Sequence, residues 1–257
     1  TMKQTLPIRF KSSKVSSIVA LSLALSSSMT FAQEAEQEGR LETITVTAQK
    51  RAQNLQEVPV SVTAFTGDEM AEAVIKDMYD LQTNVPGLGA FQSQSATNSS
   101  FSIRGVGTSS QNFGLESSVG LYVDGVYRAR QNSMINNLVD VAAVEVLRGP
   151  QGTLFGKNTP SGAILVSTVA PSHDGEDSFI EATFGNYGLV NLSGAMSFSA
   201  IEDILAFRAT AFSSSRDGTI SDVNLGKDTL NDRNRWGARF QALYTPNDDV
   251  SIRVIAD

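Results

Sequence analysis

The chain has no cysteine and a single histidine, His173. This excludes a disulfide framework, thiol catalysis and a His/Cys metal cluster, leaving any enzyme chemistry to carboxylates, Ser, Lys or Tyr. Positive charge is scarce as well, with 20 Lys+Arg against 27 Asp+Glu and a formal net charge of -7 over 257 residues. No basic surface argues for nucleic acid, so none is expected as a partner. The apolar run at residues 15–25 (VSSIVALSLAL) falls short of the roughly 20 residues that a helix needs to span a bilayer.

That short run has a different reading. Lys3, Arg9, Lys11 and Lys14 flank it on one side, and Thr30-Phe31-Ala32 follows with small residues at the two positions a signal peptidase reads. Residues 1–32 are therefore expected to be a removable export signal cleaved after Ala32, rather than a membrane anchor. An exported, acidic, cysteine-free chain suggests the envelope of a Gram-negative bacterium.

Two regions of different character follow a polar spacer. Residues 55–170 read as a mixed α/β domain. Thr66-Gly-Asp-Glu69 fits a capping box, and Met70, Ala73, Val74, Met78 and Leu81 then recur at helical spacing until Pro86-Gly87, which predicts one helix. Short strands are predicted at residues 101–104, 119–123 and 144–147. From residue 177 to 257 the period becomes two. In Val190-Asn-Leu-Ser-Gly-Ala-Met-Ser-Phe-Ser199 one face is Val, Leu, Gly, Met, Phe and the other Asn, Ser, Ala, Ser, Ser. The same split predicts five strands, around Ile180, Leu192, Phe207, Phe240 and Val254. Tight polar turns at 200–203 and 245–249 alternate with a long loop at 216–232.

Alternating segments with short turns on one side and long loops on the other are expected of an outer-membrane β-barrel. A soluble β-sandwich also alternates. The barrel is favoured because Tyr187, Trp236 and Tyr244 sit near strand ends, where aromatic girdles belong, and because no charge interrupts an apolar face. Five strands cannot close a membrane barrel, since the smallest have about eight. The expectation is thus an α+β plug-like domain followed by the first strands of an incomplete antiparallel transmembrane barrel, the N-terminal part of a longer protein.

Four stretches stand in order along the chain: Glu42-Thr-Ile-Thr-Val-Thr-Ala48, Phe101-Ser-Ile-Arg-Gly-Val-Gly107, Val119-Gly-Leu-Tyr-Val-Asp-Gly-Val-Tyr127 and, above all, Val144-Glu-Val-Leu-Arg-Gly-Pro-Gln-Gly-Thr-Leu-Phe-Gly156. By these residues and by the order of its parts the chain resembles the TonB-dependent outer-membrane receptors. It departs from the family's pattern at Ser161-Gly-Ala-Ile-Leu165 and Thr168-Val-Ala170. The resemblance implies a plug at 55–170 inside a barrel of about 22 strands. It also implies a periplasmic spacer at 33–54 that holds a TonB box of Glu42, Thr43, Ile44, Thr45, Val46, Thr47 and Ala48. Such a box, in a flexible polar surround, would add itself as an edge strand to the periplasmic domain of TonB. The competing reading makes it an ordinary first strand of the plug.

Within the plug, Arg104 and Arg148 are expected to pair with barrel-wall carboxylates, because charges between packed layers are paired. Gly105, Gly149, Pro150, Gly152 and Gly156 are expected to make tight turns and close approaches. Gln92, Gln94, Thr108, Gln111, Asn112 and Phe113, in outward polar runs, are the candidate ligand contacts. The implied function is active import of a scarce nutrient, such as a ferric siderophore, cobalamin or an oligosaccharide, by a monomer embedded in outer-membrane lipid. It calls for no cofactor and no metal.

Enzyme readings fare poorly. Gly152-Thr-Leu-Phe-Gly-Lys-Asn158 approaches a P-loop but has three residues between its glycines where four are needed, and Asn158 stands where Ser or Thr belongs. No G-x-S-x-G elbow occurs. The remaining rival is a passive porin or adhesin, which needs neither plug nor transducer box.

Overall fold

The computed structural model describes residues 8–11, 44–51, 53–92, 99–108, 115–129, 137–175, 177–222, 227–230 and 232–257. The described strands begin with β1 (Ile8–Lys11), β2 (Thr45–Val46) and β3 (Gln53–Asn54). The α/β region then holds β4 (Val62–Thr66), α1 (Gly67–Glu72), α2 (Met78–Asn84), β5 (Leu88–Gln92), β6 (Ser99–Ile103), β7 (Val106–Gly107), β8 (Val119–Val123), β9 (Val126–Tyr127), β10 (Val141–Arg148), α3 (Gly152–Phe155) and β11 (Gly162–Thr168). Its central sheet has the order β4-β10-β11-β8-β9, with β11 and β8 parallel and the other neighbours antiparallel.

The sheet is apolar on both faces, and its period of two sorts the residues cleanly. Val144 and Val146 of β10, Ile164 and Val166 of β11, and Val119 and Leu121 of β8 face a core with Met70, Met78 and Leu81 of the helices. The intervening Leu147, Ala163, Leu165 and Tyr122 face a second, smaller core. A sheet buried on both sides must be covered on both sides. The helices cover the first face, and the segment around β2, with Leu55, Val58 and Phe155, covers the second.

The expected capping box is present: Thr66 Oγ1 accepts from Glu69 N at 3.2 Å, while Glu69 returns its carboxylate to Thr66 N at 2.7 Å. The single predicted helix is, however, two. Asp77 caps a second start, accepting from Tyr79 N and Asp80 N, and Val74 stands between the helices at φ 56°, 54% exposed. A second box three residues before Asp80 offers the backbone a better start than continuation through Val74, whose β-branch resists helix.

The second region is a meander of β12 (Phe179–Phe184), β13 (Val190–Ile201), β14 (Leu205–Arg216), β17 (Arg233–Asn247) and β18 (Val250–Ala256), all antiparallel neighbours in that order. The loop expected at 216–232 carries its own hairpin, β15 (Ile220–Asp222) with β16 (Lys227–Leu230). The faces are inverted relative to a soluble sandwich. Ile180, Leu192, Met196, Trp236 and Val254 are exposed, Trp236 at 81%, while Thr183, Ser197, Arg208, Thr210 and Gln241 are buried against the plug-like domain. Apolar side chains outward and polar ones inward suit a wall with lipid outside, and the sandwich reading is set aside.

One segment departs from expectation. Ile8–Lys11, read from sequence as part of a cleaved leader, lies antiparallel on β12, with Ile8 opposite Ala182 and Lys11 opposite Phe179. An open sheet edge presents unpaired N–H and C=O groups that any extended segment can satisfy. The rest of the expected signal, residues 1–7 and 12–32, lies outside the described residues.

Candidate functional site

The segment expected to hang free is docked. Thr45 and Val46 pair with Asn54 and Gln53, and Leu55 N donates to the Ile44 carbonyl at 2.9 Å. Val46 and Ala48 are fully buried in the second core, beside Leu147 and Leu165, while Thr45 and Thr47 face outward. Burying a valine side chain is worth about 1.5–3 kcal/mol, enough to seat a short strand on an uncovered apolar sheet face. On its C-terminal side the described residues hold β3 and a 3-10 turn at Leu55–Glu57, capped by Asn54. Glu42 and Thr43 lie outside the described residues.

A carboxylate completes this dock. Glu145, in the middle of β10, lies opposite Ala64 and Leu165 on the second face and is 2% exposed. Its Oε1 accepts from both Thr47 N, at 2.7 Å, and Thr47 Oγ1, at 2.8 Å. Its Oε2 is buried and has no hydrogen-bond partner among the described residues. Lys50 closes the far end, its ammonium 5.5 Å from the centre of the Phe155 ring.

The plug-like domain meets the wall through charge. Arg208 of β14 and Arg253 of β18 reach Asp140 and Asp124, Arg233 of β17 reaches Asp77 at 3.1 Å, and Lys76 pairs with Glu181. Neutral contacts reinforce them. Gln241 donates to the Val169 carbonyl at 2.9 Å, Arg253 donates to Thr168 Oγ1 at 2.7 Å, and Thr245 Oγ1 lies 2.7 Å from His173 Nε2. The divergent Thr168-Val-Ala stretch therefore does contact the wall, largely through backbone carbonyls, which any side chain preserves.

Among the described residues neither Arg104 nor Arg148 meets a wall carboxylate: Arg104 is exposed at a turn with φ 52°, and the Arg148 side chain donates to the Pro86 carbonyl at 3.5 Å. Among the described residues the ion pairs mostly run the other way, arginines on the wall and carboxylates on the plug. A wall strand can bury an arginine's stem along its polar face and deliver the charge to a short, fixed Asp. Gly105, Gly149 and Gly156 do occupy positive φ, whereas Gly152 opens α3 with open space around it and makes neither turn nor close approach. The close approach belongs to Gly162, where a Cβ would come within 2.2 Å of the Leu147 carbonyl oxygen. Pro150 is exposed after the turn at Gly149.

The candidate ligand contacts are mostly out of view. Gln94, Gln111, Asn112 and Phe113 lie outside the described residues, and of Gln92 only the backbone is placed, paired with Ser99. Thr108 serves the fold: its Oγ1 accepts from Ser118 N at 2.9 Å and lies 2.8 Å from Ser118 Oγ. Glu145, Asp140 and Arg208 were not singled out from sequence. The signal for two of them was there, a lone carboxylate within the apolar Val144–Leu147 run and a charge in the middle of the inward face of β14. Among the described residues no cluster of three or more His, Asp or Glu could hold a metal, and no helix is long and apolar enough to cross a membrane.

The TonB-dependent receptor plug domain family matches residues 54–163. The pesticin receptor of Yersinia pestis is 39% identical over 130 residues, 50% of this chain and 19% of that protein. The catecholate siderophore receptor Fiu of Escherichia coli is 32% identical over 125 residues, 45% of this chain and 15% of that protein. Among solved structures, the ferric yersiniabactin uptake receptor FyuA from Yersinia pestis aligns with a TM-score of 0.66 at 28% identity, over 74% of this chain and 29% of that one. The pyoverdine receptor FpvA from Pseudomonas aeruginosa aligns with a TM-score of 0.66 at 17% identity, over 82% and 29%, a likeness of fold alone. The chain thus spans under a third of the relatives it matches.

Proposed function

We propose that the chain is part of a TonB-dependent receptor, an outer-membrane transport receptor rather than an enzyme, and that it serves the import of a ferric siderophore, driven by TonB acting on residues 42–48. The observation that carries this reading is a plug held by buried ion pairs to the polar face of a lipid-type wall. A passage stoppered in that way needs work to open, and an outer membrane has no ATP or ion gradient of its own. Work must arrive through a physical link, and residues 42–48, with their alternating pattern and their own spacers, suit strand addition to a periplasmic partner.

A ferric siderophore is favoured over cobalamin or an oligosaccharide by the relatives, whose names specify catecholate siderophores and ferric yersiniabactin. The ligand would meet the plug's outward polar runs, residues 92–100 and 108–114, on a single chain working as a monomer. Residues 1–32 would be removed on export. Binding of ligand outside and of TonB inside must be reciprocally coupled.

The test is to delete residues 42–48 from the full-length protein and follow radioactive ferric siderophore into iron-starved cells. Energised uptake is expected to fall to background while surface binding persists. Uptake that survives the deletion, or that survives collapse of the proton-motive force, would overturn the reading in favour of a passive pore.

A further inference from the structure

We propose that the cavity between α1 and the wall is a holding chamber for an anionic guest, closed toward the outside by ion pairs that open without work and toward the periplasm by one that does not. The inference rests on the import reading above and adds a resting place on the cargo's way.

The cavity has a volume of about 860 Å³, within the range of pockets that enclose a drug-sized ligand. Its wall side is one inward row, Glu181, Ser193 and Phe212, side by side on β12, β13 and β14. The row continues to Gly237 of β17, where a Cβ would come within 2.5 Å of the Phe212 ring. The ring therefore lies along the wall and leaves the space beside Ser193 open. On the plug side stand Ala71 and Val74, and the cavity accounts for an apolar valine that is 54% exposed.

Its two ends are held unequally. Barrels of this kind keep short turns on the periplasmic side and long loops outside, so the Arg216 end of β14, which leads into the long loop, is the outer one. At that end Lys76 pairs with Glu181 and Asp77 with Arg233, and the four side chains are between 10% and 33% exposed. Ion pairs that water can reach are weakly held. Toward the periplasm, four residues along β14 from Phe212, Arg208 meets Asp140, each 1% exposed, and parting them strands two buried charges. Thermal motion suffices for the first closure, and a pull on the plug is needed for the second.

The outer mouth selects what fits. Arg216 lies directly opposite Arg233, and Arg235 is two residues further along the same face. Like charges so placed repel, and an anion arriving among them relieves the repulsion while competing with Asp77 for Arg233. Of the other carboxylates that face the cavity, Glu181 is engaged by Lys76, Asp140 and Asp177 by Arg208, and Asp80 by the Lys76 and Asp77 amides. A guest with anionic groups at one end and apolar flanks at the other matches cations at the mouth and Val74 and Phe212 inside; an anionic iron chelate is of that class.

Charged thiol probes stand in for the guest. In the full-length protein, freed of any cysteine outside this chain, Ser193→Cys is exposed to an anionic and a cationic dye maleimide of similar size. Neither dye crosses the outer membrane, and the cells have had their proton-motive force collapsed. Position 193 is expected to label with the anionic dye ahead of the cationic one, and Arg216→Gln with Arg235→Gln to lower the ratio of the two rates roughly fivefold or more. Raising the salt concentration, which needs no substitution, is expected to narrow the same ratio. Ser199→Cys, beyond Arg208 on the same inward face, is expected to stay unlabelled, as is Ile164→Cys in the plug core, which checks that the plug is intact.

No labelling at position 193 overturns the outer closure, and labelling at position 199 overturns the inner one. A ratio that neither the substitutions nor salt can move overturns the anionic guest. No siderophore and no TonB force enter these measurements, so the chamber can fail while deletion of residues 42–48 still abolishes uptake, and the reverse.

Discussion

The guanidinium of Arg208 is locked to the carboxylate of Asp140, Nε donating at 2.8 Å to one oxygen and Nη2 to the other, with both side chains 1% exposed. Its Nη1 donates to Ser197 Oγ and to the Asp177 carbonyl, each at 2.8 Å, and Thr210 donates its hydroxyl to Asp140. At least four of the five N–H donors of the arginine side chain thus have a partner, which is what keeps a buried charge from a large loss.

Arg208→Ala leaves Asp140 charged and buried with one hydroxyl for company. The plug transition in scanning calorimetry of the full-length protein is expected to lose about 3–5 kcal/mol. The double variant Arg208→Met with Asp140→Leu should recover most of that, since it removes the stranded charge as well as its partner.

Met196 points outward from the middle of β13, 57% exposed. If that face meets lipid, Met196→Arg costs about 2–4 kcal/mol in bilayers, measured by urea titration of the full-length protein in vesicles. The same substitution on a soluble sheet would be nearly neutral, so an unchanged titration midpoint would contradict the membrane wall.

At Val74 a β-branched residue stands at φ 56°, a region that disfavours L side chains by about 1–2 kcal/mol. Its side chain is more than half exposed, so little packing is lost on trimming. Val74→Gly is expected to raise plug stability by about 0.5–1 kcal/mol after the entropy of glycine is subtracted. Calorimetry on the same protein provides the check, and Val74→Ile should show no gain.

Asp80 is raised above the ordinary 3.8 by burial and then by the neighbouring charge of Asp77, against hydrogen bonds from Lys76 N and Asp77 N. A folded value above the unfolded one means the native plug binds the proton more tightly. The stability this contributes is full below pH 3.8 and is lost as pH rises through the raised value. Asp80→Asn retains an acceptor for both amides and cannot titrate. Relative to the parent it is expected to melt progressively higher as pH passes upward through that window, and to be flat above it.

The barrel strands were legible because lipid outside and polar contacts inside write a strict period of two into the residues, and the turns at 202–204 and 248–249 are short. The plug sheet was legible only in part. Its strands are buried on both faces, so Val144-Glu-Val-Leu reads as an apolar run and hides which residue meets which core. The helix break escaped notice because Val74 keeps the apolar spacing while its backbone departs from helix. The docking of residues 44–48 was legible only as the competing reading, a first strand of the plug, since period two says which residues share a face and nothing of the sheet that receives them. The wall arginines were likewise visible as inward charges, but their partners, 68 residues away for Arg208 and Asp140, belong to tertiary structure.

Strand β10 carries two attachments of opposite kind. Its start abuts Asp140, held by Arg208 of β14, and Glu145, five positions on, accepts from Thr47. At roughly 3.3 Å per residue these points lie about 17 Å apart along one strand. A pull on residues 44–48 would therefore meet, within that distance, a point held to β14, while the neighbours β4 and β11 would feel it sideways across the ladder.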